Sequence, residues 1–167
     1  AAGVAYLHAP VMMGPPAARS AKGMMLVAGP TARVDRVREA LSSMTGELWH
    51  VGERGDLAAI YKLVGNALVL SVVGATADIM HMMDAAGVPR SGAMDMLAKT
   101  NPSGAIAFRG KMMLEDDYGT NFALDVARKD VRLMLETSAS QPVPVLHALA
   151  ARMDDLIRDG EGGKDFA

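Results

Sequence analysis

A lysine and an asparagine one helical turn apart, inside an otherwise apolar run, are the first residues here that could do chemistry. Lys62 and Asn66 stand at i and i+4, so on a helix they project about 40° apart from one face. A lysine held among apolar groups gives up its proton more readily than a hydrated one. Such an amine can pass a proton to or from a substrate oxygen, and an asparagine beside it can orient that oxygen by a hydrogen bond. The structural alternative is that Lys62 lays its methylenes along the helix and carries its ammonium to water, with Asn66 paired to backbone. A second group is the run His8-Ala9-Pro10-Val11-Met12-Met13-Gly14-Pro15. It follows a strand-like segment, where ligand loops of α/β folds sit, and Gly14 allows close backbone approach; a plain turn is the alternative. A third is Lys129-Asp130, with Asp125 four residues before Lys129, which by spacing alone is a solvated helix pair.

Other chemistries are excluded. The four histidines, His8, His50, His81 and His147, show no metal-ligand spacing and no H-E-x-x-H, so no metal site is expected. The absence of cysteine removes thiolates and disulfides. Gly52-Glu53-Arg54-Gly55 and Gly160–Gly163 are not dinucleotide fingerprints. Asp116-Asp117 and Asp154-Asp155 are neighbours that point apart and read as solvated charge. Of 167 residues, 50% are hydrophobic and 22% charged, with net charge −2, a globular balance without a nucleic-acid surface. Only 4% are aromatic and 14 are Met, so burial must come from aliphatic helix packing. The most apolar stretch, Leu63–Ala77, carries Asn66 and Ser71 and is too short to span a bilayer. A soluble, cytoplasmic protein with no membrane partner is expected.

The elements that must position these residues change character near residue 55. Before it, Val4–Leu7, Met24–Ala28 and Glu47–Val51 read as strands, Met12–Gly23 as a loop, and Thr31 as the cap of a helix through Met44. These α/β pieces are too few to stand alone. After it, nearly everything reads as helix. One long helix runs from Asp56 to about Ala86, with Gly87 at its end. Leu57, Ile60, Val64, Leu68, Ser71, Ala75 and Ile79 form one face, and Lys62, Asn66, Val69, Val73 and Met80 another. Apolar nearly all round, it is expected to be central. Shorter helices follow over Ser91–Lys99, Ala105–Leu114, Phe122–Ser138 (capped by Asn121) and Val145–Arg158, with a loose tail DGEGGKDFA. The expected class is mainly α, divided into 1–55 and 56–167.

Taken together these pieces resemble the β-hydroxyacid dehydrogenase family, which includes 3-hydroxyisobutyrate dehydrogenase and is related to 6-phosphogluconate dehydrogenase. His8-Ala9-Pro10-Val11-Met12-Met13-Gly14 is similar to its D-A-P-V-S-G-G substrate loop. Gly52-x-x-Gly55 followed by Lys62-x-x-x-Asn66 is similar to its G-x-x-G…K-x-x-N-N segment. Phe122-Ala123-Leu124 with Lys129-Asp130 and Leu133 is similar to its F-x-L…K-D-L segment, and Asp165-Phe166 to the D-F near its C-terminus.

The resemblance implies a 6-phosphogluconate dehydrogenase C-terminal-like helical domain, 56–167, with a long central helix, serving substrate and dimerisation. It would be preceded by 1–55, the closing strands of an incomplete Rossmann domain. It implies an oxidoreductase moving a hydride between NAD or NADP and a small hydroxy acid or related carbonyl compound. Lys62 would be the catalytic acid/base, Asn66 would hold the substrate hydroxyl, Met12, Met13 and Gly14 would contact substrate, and Lys129 would approach the cofactor. The main cofactor site would lie outside this chain, leaving it inactive by itself, and its partner would be a second copy in a homodimer or higher homo-oligomer. The sequence departs from the pattern where His8 stands for Asp, Met12-Met13 for Ser-Gly, and Gly65 for the first Asn. These departures favour a bulkier or less acidic substrate. Two other readings compete: a non-catalytic helical dimerisation or binding module, and a reductase for another unsaturated group such as an imine.

Overall fold

Among the described residues, all three strands lie in the first third of the chain. The structure, a computed structural model, describes residues 4–167. Its sheet has three strands, β1 (Val11–Met12), β2 (Met24–Ala28) and β3 (Glu47–Gly52), in spatial order β1-β2-β3. β1 runs antiparallel to β2, with Val11 opposite Met25; β2 runs parallel to β3, with Leu26 opposite Trp49. β2 is the central strand, and four of its residues, Met25 to Ala28, are buried. That explains its uninterrupted apolar sequence, since a strand covered on both faces has no polar side to alternate.

Helices account for most of the rest: α1 (Pro15–Arg19), α2 (Thr31–Ser42), α3 (Leu57–Ala85), α4 (Arg90–Leu97), α5 (Pro102–Glu115), α6 (Leu124–Ser138) and α7 (Pro144–Arg158). The chain is mainly α, as its sequence predicts. It separates into two compact units, Ala1–Ser71 and Val72–Ala167, with α3 contributing to both.

In the first unit, Leu26, Ala28 and Ala58 form the core, with Met12, Met24, Val51 and Leu57 packed on it. In the second, α6 buries Leu124, Ala127 and Val131, one stripe at helical spacing. α7 packs on α6, joined by Arg128 donating to both carboxylate oxygens of Asp154 at 2.7 and 3.0 Å. Asp78 of α3 is 2% exposed and accepts from the Leu146 N–H at 2.9 Å. Val143, at the N-cap of α7, gives no side-chain cap, so a carboxylate from another helix meets one of the orphan donors every helix start leaves.

Several local expectations are corrected. Val4–Leu7 is not a strand; among the described residues the pairing next to it is a bridge from His8 to Ala28, followed by β1. A strand needs a hydrogen-bonded neighbour, and on its β1 side β2 is met from His8 onward, through His8, Pro10, Val11 and Met12. Met12–Gly23 is not a loop throughout, for Met12 lies in β1 and α1 follows. Asn121 does not cap α6, whose N-cap position is Ala123. Asn101 instead caps α5, accepting from the Gly104 N–H at 2.9 Å. The tail is not loose: Ala123 bridges to Asp165, and Leu124 and Asp125 donate to the carbonyls of Lys164 and Gly162.

α3 departs furthest from expectation. At 29 residues it is long and apolar enough, by length and composition, to cross a membrane, contrary to the shorter span read from the sequence. The buried Asp78 cap argues for protein packing instead, because a carboxylate is costly in hydrocarbon. Nor is the helix covered as expected: Leu63 is 66% exposed, Val64 64% and Leu70 69%.

Candidate functional site

The sheet holds α3 by a narrow stripe. Ala58 is fully buried against Leu26 and Ala28. Tyr61 meets Trp49 of β3 edge-on, ring centroids 5.2 Å apart at 78°. At Gly65 the Met12 side chain closes in so far that a Cβ would stand 2.5 Å from Cε and 3.4 Å from Sδ. Ala58, Tyr61 and Gly65 follow i, i+3, i+7 spacing, which is one helix face. The helix start is fixed too: Gly52 has φ +133°, and a Cβ there would meet Leu57 Cδ1 at 2.8 Å. Glycine therefore lets β3 turn sharply into α3. Asp56, just before the helix, accepts a hydrogen bond from Arg54 Nε at 2.6 Å through its carboxylate.

Lys62 and Asn66 flank this stripe. Both are half-buried, as is Gly65, whereas Leu63, Val64, Ala67 and Leu68 around them are exposed. Of the two apolar faces expected, the one through Ile60, Val64 and Leu68 is exposed here, and the polar pair lies on the less exposed side. Small residues explain this choice: Ala58 and Gly65 admit the sheet close to the backbone, where a branched side chain would hold it off. Among the described residues, neither Lys62 nor Asn66 is tied into an ion pair or a side-chain hydrogen bond. An unspent amine and an unspent amide, one turn apart, can hold an oxygen and exchange a proton with it.

The three residues expected to touch substrate are placed differently from one another. Met12 reaches α3 beside Lys62 and Asn66, as above. Met13, just past β1, packs elsewhere: a Cβ at Gly23 would stand 2.7 Å from Met13 Cβ. Gly14 occupies the N-cap of α1 with φ −84°, and a Cβ there would meet only Pro16 Cδ at 3.9 Å. The site therefore gathers Met12, Lys62, Gly65 and Asn66, and Gly65 is the member that sequence reasoning noted only as a departure. Its signal is a glycine inside a long helix, a costly choice unless something packs on it.

Lys129 belongs to the second unit. It is exposed on α6, and its Nζ lies 2.9 Å from Asp130 Oδ1. The i−4 pairing with Asp125 is corrected, since Asp125 packs against Gly162 instead. A cavity of about 380 Å³ in this unit is lined by Tyr118, Arg152, Lys164 and Phe166 among others and holds no expected site residue.

The strand–turn–helix connection from β2 to α2 does not suit a pyrophosphate. Glu53 already occupies the start of α2, where its Oε1 accepts from Thr31 Oγ1 at 2.9 Å and from the Thr31 N–H at 3.3 Å. The Thr31 hydroxyl and then its N–H hold the Glu53 carboxyl below the usual carboxylate range. A second anion at that helix start would face a resident negative charge.

Known proteins give the chain its family and its fold. Residues 57–167 match the family model described as NAD-binding of NADP-dependent 3-hydroxyisobutyrate dehydrogenase. An uncharacterised oxidoreductase, YfjR, of Bacillus subtilis is 25% identical over 165 residues, covering 97% of this chain and 58% of its own length. The 2-(hydroxymethyl)glutarate dehydrogenase of Eubacterium barkeri is 25% identical over 146 residues, 86% of this chain and 48% of its own. The chain thus spans about half the length of the curated relatives it matches. Among solved structures, the imine reductase from Myxococcus stipitatus in complex with NADP+ superposes with a TM-score of 0.85 at 21% identity, covering 98% of this chain and 62% of that one.

Proposed function

This chain belongs to the NADP-dependent 3-hydroxyisobutyrate dehydrogenase family, and from that premise we propose that it is the C-terminal part of an NAD(P)-dependent oxidoreductase acting on a small hydroxy acid or related carbonyl compound. Its relatives are NAD(P)-dependent oxidoreductases of the hydroxyacid dehydrogenase type. The observation that carries the reading is the unspent pair Lys62 and Asn66 on the inward face of α3, beside Met12. Packing alone gives no reason for a lysine there.

The roles follow from chemistry. When a carbinol is oxidised, the Lys62 amine takes the hydroxyl proton; when a carbonyl is reduced, the Lys62 ammonium returns it. The bound nicotinamide accepts or supplies the hydride. The Asn66 amide N–H donates to the same substrate oxygen and holds it in line with Lys62. Met12 borders the rest of the substrate, whereas Met13, packed at Gly23, and Gly14, at the start of α1, stand apart from the pair. Lys129, as an exposed cation, offers a contact to the anionic cofactor, whose main site we place outside this chain because Glu53 blocks the start of α2.

In the same reading, residues 1–55 close a Rossmann domain and 56–167 form a 6-phosphogluconate dehydrogenase C-terminal-like helical domain; the family match beginning at residue 57 supports that division. A second copy would cover the exposed apolar face of α3, since contiguous apolar surface of this kind marks an interface. The test is the full-length protein carrying this chain, screened with hydroxy acids, aldehydes and ketones against NAD(P)+ and NAD(P)H by absorbance at the reduced nicotinamide band. Lys62→Ala should lower kcat on the order of 10²–10⁴-fold. Lys62→Arg should not restore it, because a guanidinium stays protonated. Near-normal turnover in Lys62→Ala would favour the non-catalytic helical module.

A further inference from the structure

We propose that Met12 and Gly65 together form an apolar, donor-free wall of the substrate subsite beside Lys62 and Asn66. The substrate would then present an uncharged group there, so that the compound turned over is a carbonyl or carbinol without a carboxylate next to that wall. This narrows the oxidoreductase reading above and rests on it.

Three observations lead there. First, Gly65 lies inside a 29-residue helix, where glycine is the least favourable residue after proline. What occupies the vacated space is Met12: a Cβ at position 65 would lie 2.5 Å from its Cε and 3.4 Å from its Sδ. Second, these are two of the positions at which the sequence departs from the pattern it resembles. Met12 stands for a serine and Gly65 for an asparagine. The larger residue at one position fills the volume released by the smaller at the other, so the two departures are a single change in space. Third, that change removes a hydroxyl and an amide from the same patch and leaves a thioether and a methyl. Position 65 is three residues from Lys62 and adjacent to Asn66, and all three are half-buried with Met12. A carboxylate pressed against the Met12 side chain would lose water and find no side-chain N–H or O–H from either residue, which opposes its binding. An ester, alkyl or aryl group loses nothing there and gains contact with a polarisable sulfur.

The experiment uses the full-length protein loaded with NADP+ and two matched probes, 3-hydroxyisobutyrate and its methyl ester. Methionine methyl groups are labelled with 13C, and the Met12 signal is identified by its loss in Met12→Leu. The ester should shift the Met12 methyl resonance and the acid should not. The ester should also be oxidised with a kcat/KM at least tenfold above that of the acid. In Met12→Ser/Gly65→Asn the ratio should turn over in favour of the acid. A Met12 methyl that responds to the acid, or to neither probe, overturns the proposal, as does an acid-to-ester ratio unchanged in the double variant. The underlying reading fails separately: if Lys62→Ala oxidises the ester as fast as the parent while the Met12 methyl still responds to it, the subsite stands and the role of Lys62 falls. If neither probe is oxidised, an ester-only shift of the Met12 methyl still supports the apolar wall.

Discussion

Two polar centres of this molecule are built on opposite plans. Around Asp165 every group is spent. Its side chain is fully buried and accepts from Arg109 Nε at 3.1 Å, Asn121 N at 3.2 Å, Phe122 N at 2.9 Å and Ala167 N at 3.2 Å. The Arg109 guanidinium also lies 4.0 Å from the Phe166 ring centroid, and Phe166 packs edge-on against Phe122. Around Lys62 and Asn66 nothing is spent: two half-buried polar side chains stand beside a sheet without partners among the described residues. A closed network ties chain to chain, whereas an open one is kept for something that arrives. On the function proposed above, the difference separates a residue that matches a family pattern for stability from one that matches it for chemistry.

The two centres should therefore fail in opposite ways. Asp165→Ala strands the Arg109 charge and three N–H groups, and should cost about 3–5 kcal/mol of stability, the usual range for breaking a buried ion pair from one side. Urea unfolding followed by circular dichroism measures it. Lys62→Ala removes a half-buried amine with no partner, so its unfolding midpoint should stay close to the parent's while turnover collapses. If Lys62→Ala were the destabilising variant, the open centre would be structural after all.

Acid sharpens the same contrast. Burial alone would raise the Asp165 carboxyl, but the hydrogen bonds from Phe122 and Asn121, the Arg109 charge and the Ala167 N–H outweigh it and hold the group below its ordinary value. A carboxylate lowered by folding binds fewer protons folded than unfolded, so it adds stability above its unfolded value of about 4. That contribution disappears as pH falls through the lower folded value. The stability gap between parent and Asp165→Asn should stay constant from pH 7 to about 5 and shrink only below about 4. A gap that shrinks between pH 7 and 5 would assign it to another group.

These centres also show how far sequence reaches. Periodicity located β2, β3, α3, α6 and α7 to within a residue or two, because strand and helix bury faces at fixed spacings. It did not decide which face of α3 turns inward, because both of its faces read as apolar. Leu63, Val64 and Leu68 are the more hydrophobic residues, yet the sheet approaches over Ala58 and Gly65, since closeness is decided by small side chains and not by hydrophobicity. Lys62 and Asn66 were legible from spacing and resemblance. The Met12–Gly65 contact was not, because it joins positions 53 residues apart, from Met12 to Gly65. The tail read as loose for the same reason: glycine and charge carry no local preference for order, and it is Asp165, met by Asn121 and Phe122 from 44 and 43 residues away, that fixes it.

Asp78 offers a smaller test of the closed plan. Asp78→Ala leaves the Leu146 N–H without its acceptor and should cost about 1–2 kcal/mol, the range for a lost helix cap. Exchange of the Leu146 amide should quicken more than that of amides in the middle of α7. His81, whose Nδ1 lies 2.5 Å from the Pro142 carbonyl oxygen, keeps a second tie on the same turn and limits the loss.

Asn66→Ala should have the smallest effect, and its sign carries the information. In the open plan the Asn66 amide holds only the substrate oxygen. Its loss removes one hydrogen bond from the bound state and should lower kcat/KM about tenfold, equivalent to about 1.4 kcal/mol. The folded chain loses no partner by the same change. Alanine is a better helix former than asparagine by about 0.5 kcal/mol, and no buried group is left unsatisfied. Stability should therefore rise slightly while activity falls. A satisfied structural asparagine would do the reverse, because deleting its amide would strand whatever it held. Measuring urea midpoints and kcat/KM on the same preparations of Asn66→Ala and parent distinguishes the two plans at the residue where they differ least. A drop in stability of about 1 kcal/mol with unchanged turnover would move Asn66 into the closed class, and leave Lys62 to position the substrate oxygen alone.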